Sequence, residues 1–215
     1  MQGQPCIGNR SIFEEYTNSI IHAIGAIGLL IGTLYLLSIA ENTIQVTSVL
    51  IYGITGIITM LCSTIFHSTV YNVARRKLWN TLDQVAIYLM ITGTYTPIII
   101  MGMEEPFTSV SLWLIWSCTL ALAIWKINFL NISDMVSVVS YLALGWFGLF
   151  AVGPQLEKLP TEFIYLLVGG GSIITLGVFF WMNDHRKYFH TVWHLLVLLG
   201  IGMHYYAISK YIVCP

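Results

Sequence analysis

Seven charge-free stretches govern what this chain can fold into: 16–40, 42–74, 84–103, 106–125, 135–156, 163–183 and 188–209. Each is 20 to 33 residues long, and about 20 mostly apolar residues carry a helix across about 30 Å of hydrocarbon. They take up most of the 215 residues, so no room is left for a soluble domain or a long linker. The expected architecture is an all-α membrane protein, a seven-transmembrane helix bundle forming one integral membrane domain over 1–215. Its spans are expected near 18–40, 44–67, 82–103, 107–127, 134–153, 162–182 and 190–211.

Composition excludes the main alternatives. Only 9% of residues are charged, against about 25% in soluble domains. At 57% apolar, the chain has too few polar residues to cover a water-facing surface. A net charge of −1, with no basic run longer than Arg75-Arg76-Lys77, gives nucleic acid nothing to bind. An outer-membrane barrel needs short alternating strands of about 10 residues; LLIGTLYLL (29–37) and LLVLLGIGM (195–203) do not alternate. The first three spans are not repeated in the last three, so the inverted repeat of many transporters is missing.

The basic residues set the expected orientation. With the N-terminus cytoplasmic, the inner segments carry Arg10, Arg75, Arg76, Lys77, Lys126, Arg186 and Lys187, and the outer ones only Lys158 and Lys210. The positive-inside rule therefore places the C-terminus on the opposite side of a cell (inner or plasma) membrane. Arg10, Glu14 and Glu15 stand in a leading segment without a cleavage pattern, so no signal peptide is expected. Cys6, Cys62, Cys118 and Cys214 show no regular spacing, and no disulfide is expected among them.

Polar residues within spans are costly and mark function by default. Ser63 and His67 stand four apart near the end of the second span, on one helix face. Asp83 opens the third span, and HTVWH places His190 and His194 at i, i+4 at the start of the seventh. In the expected topology His67, Asp83, His190 and His194 all reach the inner face. Three imidazoles leave one position open on a tetrahedral zinc, the pattern of a catalytic site. Such a zinc would activate water and polarise a carbonyl. Thr191 follows the first histidine, so there is no HExxH glutamate; Asp83 is the candidate base and Ser63 a candidate donor to the reacting oxygen. Haem between two histidines is the rival metal centre. The bland readings are an interfacial His67, a chance HxxxH, and an Asp83 that only caps its helix, with Thr81 as a rival cap. His22 and His204 are expected to pack or hydrogen-bond, His204 lying about 15 Å along its helix from His194. His185 falls in a charged loop and is expected to be solvated. Pro97 should bend the third span, with Thr92, Thr94 and Thr96 compensating, and Gly169-Gly170-Gly171 should allow close helix approach.

These residues also carry a resemblance. Glu14, Glu15, Asn18 and His22 form EExxNxxxH; Ser63 and His67 form SxxxH; Leu82 to Pro97 matches LDxxxIYLxIxGTYTP; His190 to Val197 matches HxxWHLxV. The sequence resembles the hemolysin III family, the bacterial branch of the progestin and adipoQ receptor superfamily. It is similar more distantly to adiponectin receptors and alkaline ceramidases. The resemblance spans nearly the whole chain. It implies seven helices with the N-terminus inside, and zinc bound by His67, His190 and His194 near the cytoplasmic face. In the same carry-over Asp83 contacts the zinc through water and Ser63 is the motif serine. Phe66 and Gln84 depart from the tyrosine and histidine common in bacterial members. The function expected is a zinc-dependent membrane hydrolase cleaving an amide or ester of a lipid, the bilayer and a lipid substrate being its partners. The alternatives are a non-enzymatic receptor or sensor with a structural zinc, and a cytolysin.

Overall fold

The computed structural model describes residues 10–129 and 133–214; Cys6 lies outside them. Seven long helices follow one another: α1 Ile12–Ile39, α2 Thr43–Ser68, α3 Val73–Gly102, α4 Phe107–Asn128, α5 Asp134–Val152, α6 Thr161–Met182 and α7 Phe189–Ile208. All seven are long and apolar enough to span a membrane. A short 3-10 turn over Gly153–Lys158 follows α5, and a π turn over Ser209–Val213 extends α7. Among the described residues there is no strand, and Cys62, Cys118 and Cys214 are free.

Helix α1 shows how the bundle sorts its residues. Ser11 and Glu14 form a reciprocal capping box that satisfies orphan amides at its start. Ile20, Ile24, Ile27, Ile31 and Leu34 are exposed. Spaced three and four apart, they make one apolar stripe facing outward. The buried face instead carries Glu15, Asn18, Ser19 and His22. Lipid-facing apolar residues and a polar interior invert the pattern of a soluble helix.

Helix α3 is central. It packs on α2, α4 and α5 and touches α7, while α1 packs on α2 and α7, and α6 pairs with α7. The α6–α7 pair is close because Gly170 and Gly200 meet there. A Cβ on either would stand 2.8–2.9 Å from the other's carbonyl oxygen, so only glycine lets the backbones approach. Helix α3 runs through Pro97 to Gly102, with Thr96 Oγ1 donating to the Thr92 carbonyl at 2.8 Å. Thr92 itself pairs with Thr119 of α4.

Two helices start earlier than the charge-free stretches suggest. Helix α1 begins at Ile12 rather than near 18, and α3 at Val73 rather than near 82. Hydropathy finds what lipid tolerates, and a helix continues past that into polar surroundings. This changes the reading of Asp83. The N-cap of α3 is Asn72, whose side chain accepts from the Arg75 amide at 2.9 Å. Asp83 lies about three turns inside the helix, so it caps nothing. Thr81 does not cap either; its hydroxyl donates to the Lys77 carbonyl. Lys126, counted among the inner loop charges, is buried in the last turn of α4, its Nζ 2.8 Å from Ser137 Oγ on α5.

Candidate metal centre

His67 from the last turn of α2 meets His190 and His194 from the first turns of α7. One ligand nitrogen from each ring lies within 4.8 Å of the other two, and all three residues are buried. The rings touch edge to face or tilted, with centroids 4.6–5.3 Å apart. His67 Nε2 and His194 Nε2 are 3.0 Å apart. This is a hydrogen-bond distance, and it lies near the ~3.3 Å that separates two nitrogens bound at 2.0–2.1 Å in a tetrahedron. The triad could hold a metal ion.

A ring of charges holds these imidazoles. Glu15 on α1 is fully buried. Its carboxylate accepts from Arg10 Nε at 2.7 Å and pairs with Arg76 at 2.9 Å. It also lies 2.9 Å from His67 Nδ1. A carboxylate at Nδ1 puts the proton there and frees Nε2 for a metal. His190 Nδ1 lies 3.2 Å from an Arg10 nitrogen and 3.9 Å from Asp184 Oδ2, and Arg10 also donates to Asp184 at 3.0 Å. An arginine has only donors, so His190 Nδ1 accepts from Arg10, while Asp184 at 3.9 Å stands beyond hydrogen-bond reach of the ring.

The start of α7 is anchored by α1. Tyr188 adopts a left-handed backbone at φ 64°, and no side chain of its own helix caps that turn. Instead its amide donates to Glu14 Oε1 at 2.6 Å. Within the same first turn, Thr191 donates to Asn18 Oδ1 at 2.7 Å. The EExxNxxxH segment thus grips the helix that carries HTVWH.

The sequence places Arg10 and Arg76 only in the orientation and Glu15 only in the resemblance, and points to none of them, nor to Asp184, as a partner of the triad. One signal was available: Glu15, Asn18, Ser19 and His22 recur at helical spacing in an otherwise apolar helix, and all four are buried. Glu15→Gln removes the shared counter-charge of two arginines and weakens the hold on His67. Metal affinity should fall about 10–100-fold, read by competition against a graded chelator; unchanged affinity would show that His67 is oriented without Glu15.

The remaining expected residues divide. Asp83 and Ser63 line one cavity with His194, and Asp83 also lines a second one with His67, His190 and His194. Ser63 stands beside Asp83; its buried hydroxyl has no hydrogen bond of good geometry among the described residues. Asp83 is not one of the residues whose atoms converge with the triad. His22 packs edge-on against His194 at 4.1 Å, and neither of its nitrogens has a hydrogen-bond partner among the described residues. It packs, as expected, but does not hydrogen-bond. His204 donates to the Leu167 carbonyl, and His185 is exposed. The two departures line the polar cavity beside the triad, Phe66 edge-on to His67 at 4.7 Å. Gln84 bonds Asp134 at 2.9 Å, and Phe66 lies under the Arg76 guanidinium at 4.4 Å.

The site stands at a junction. On one side is a polar cavity of about 590 Å³ lined by Arg10, Arg76, Lys77, Asp134 and Asp184. On the other is an apolar cavity of about 180 Å³ running between α2, α3, α5, α6 and α7. Asp83 and His194 line both.

A family model described as "Haemolysin-III related" matches residues 10–205. The chain is similar to "Hemolysin-3" of Bacillus cereus, 33% identical over 93% of this chain and 92% of that one. It is similar to "Hemolysin-3 homolog" of Bacillus subtilis, 29% identical over 94% and 96%. The human "Monocyte to macrophage differentiation factor" is 26% identical over 93% of this chain and 85% of its own.

Proposed function

The chain belongs to the haemolysin-III related family, and from that premise we propose a zinc-dependent membrane hydrolase that cleaves an amide, or an ester, in a lipid. One observation carries the reading: three buried imidazoles converge where a polar vestibule joins an apolar cavity, with Asp83 and Ser63 on the same cavity wall. Neutral nitrogen donors in a set of three suit zinc with a position left open.

Zinc held by the triad would polarise a carbonyl and acidify a coordinated water. Asp83 takes the proton of the attacking water on a carboxylate oxygen and returns it to the leaving nitrogen. Ser63, beside Asp83, donates its hydroxyl proton to the oxygen that gains charge. Glu15 fixes the proton-bearing nitrogen of His67, and Arg10 holds the His190 ring through its Nδ1. The apolar cavity takes the acyl chain and keeps water from it, and the vestibule takes the head group. With the N-terminus inside, as the basic residues suggest, the vestibule opens to the cytoplasm of a cell-membrane protein.

A receptor with a structural zinc is the second reading. It is favoured by the way the charge ring ties α1, α2, α3 and α7 together through Glu15, Arg10 and Arg76. A cytolysin, which the Bacillus relatives' names suggest, fits less well. Seven long apolar helices joined by short loops suit residence in one membrane rather than transfer to another.

The test is hydrolysis. Purified protein incubated with a panel of N-acyl and O-acyl lipids should release fatty acid. Chelator should stop the release and zinc should restore it. Protein that carries zinc yet consumes no member of the panel, with no acyl amide accumulating in a deletion strain, would favour the receptor.

A further inference from the structure

The apolar cavity has a polar far end that the proposed chemistry does not use. Asp83 and His194 stand at its inner mouth. His204 follows His194 by ten residues on α7, which is about 15 Å along the helix. Tyr95 follows Asp83 by twelve on α3, about 18 Å along that one. Both line the cavity. The walls between are mostly hydrocarbon, from Met60, Ile87, Ile91, Leu142, Val197 and Ile201, and the hydroxyls of Thr94 and Thr175 there donate to carbonyls of their own helices.

The chemistry of this far end is one-sided. His204 Nε2 lies 3.0 Å from the Leu167 carbonyl oxygen. A carbonyl only accepts, so Nε2 carries the proton and the neutral ring leaves Nδ1 as a lone-pair acceptor. No carboxylate pairs with the ring among the described residues. Gly170 holds it in place, since a Cβ there would collide with Nε2 and Cδ2. Nδ1 makes no hydrogen bond among the described residues, and the ring lines the cavity. Tyr95 donates its hydroxyl to the Gly145 carbonyl at 2.7 Å, which leaves the phenolic oxygen free to accept. Among the described residues no lysine or arginine lines this cavity, so a distal carboxylate would find no counter-charge there. The end accepts hydrogen bonds and offers no cation.

We infer that the cavity is built for an acyl chain bearing a hydroxyl group well away from its carbonyl, the hydroxyl donating to His204 Nδ1 or the Tyr95 oxygen. An extended hydrocarbon chain advances about 1.3 Å per carbon–carbon bond, so 15 Å places that hydroxyl about 10–13 carbons from the carbonyl. A plain chain leaves the acceptors unpaired in apolar surroundings, which costs affinity. This inference rests on the reading of the cavity as an acyl site.

Binding of free fatty acids tests it without any turnover. Purified protein is loaded with a fluorescent polyene fatty acid, which is then displaced by octadecanoic acid or by 12-hydroxyoctadecanoic acid. The hydroxy acid should displace it about fivefold more effectively, the worth of one net hydrogen bond. His204→Phe should erase that preference while octadecanoic acid still competes. His204→Gln, which keeps a donor for Leu167 and an acceptor for the ligand, should retain most of it, and Tyr95→Phe should reduce it. Bound zinc in each variant reports that the bundle has folded. Equal competition by the two acids, or a preference that survives both His204→Phe and Tyr95→Phe, overturns the hydroxyl subsite alone. Failure of both acids to displace the probe overturns the acyl site itself, and the subsite with it.

Discussion

Asp83→Asn is expected to keep the bound metal and lose hydrolysis by about 10²–10⁴-fold, the usual worth of a general base. Asparagine preserves the size of the side chain and one acceptor oxygen but cannot take a proton. The structure sharpens this test. Asp83 sits inside α3, whose N-cap is Asn72, so the variant disturbs no helix start. The triad assembles from His67, His190 and His194 without it, so occupancy should hold. Metal analysis and a lipid-amide assay on the same preparation separate the outcomes. Metal lost together with activity would make Asp83 a direct ligand. Full activity in Asp83→Asn would move the base elsewhere, with His22, which packs on His194 and has no hydrogen-bond partner among the described residues, the nearest other candidate.

His67→Ala, His190→Ala and His194→Ala should each strip zinc from a protein that otherwise carries about one ion per chain, since two side-chain ligands remain of three. The fall should exceed the roughly 10–100-fold that removal of an outer-shell partner costs. His185→Ala is the matched control, because that ring is exposed in the α6–α7 loop. Elemental analysis of protein purified without chelator reads all four. Wild-type protein devoid of transition metal would remove the centre, and equal zinc in His67→Ala and His185→Ala would remove His67 from it.

Much of this architecture was legible because lipid imposes a simple rule. A span must be apolar over about 20 residues, and the chain states that rule seven times. The i, i+4 spacings of Ser63 with His67 and of His190 with His194 were equally plain, since a helix places such pairs on one face. Topology alone then brought His67, His190 and His194 to one membrane edge, where the structure also gathers them. Helix starts were less legible. The first turns of α3 hold Arg75, Arg76 and Lys77, which hydropathy reads as loop and the backbone continues as helix.

What the sequence determined by itself is therefore the number of helices and the set of polar residues they must bury. The tertiary structure decided which of those residues meet. Glu15 reaches His67 from 52 positions away, Arg10 reaches Asp184 across 174, and Glu14 holds the Tyr188 amide across 174. No periodicity records such contacts. They depend on how far each helix is rotated about its own axis, and packing sets that rotation, as where Gly170 meets Gly200. A buried carboxylate among two arginines and an imidazole is tolerable only when all four arrive together, and only the folded bundle brings them together.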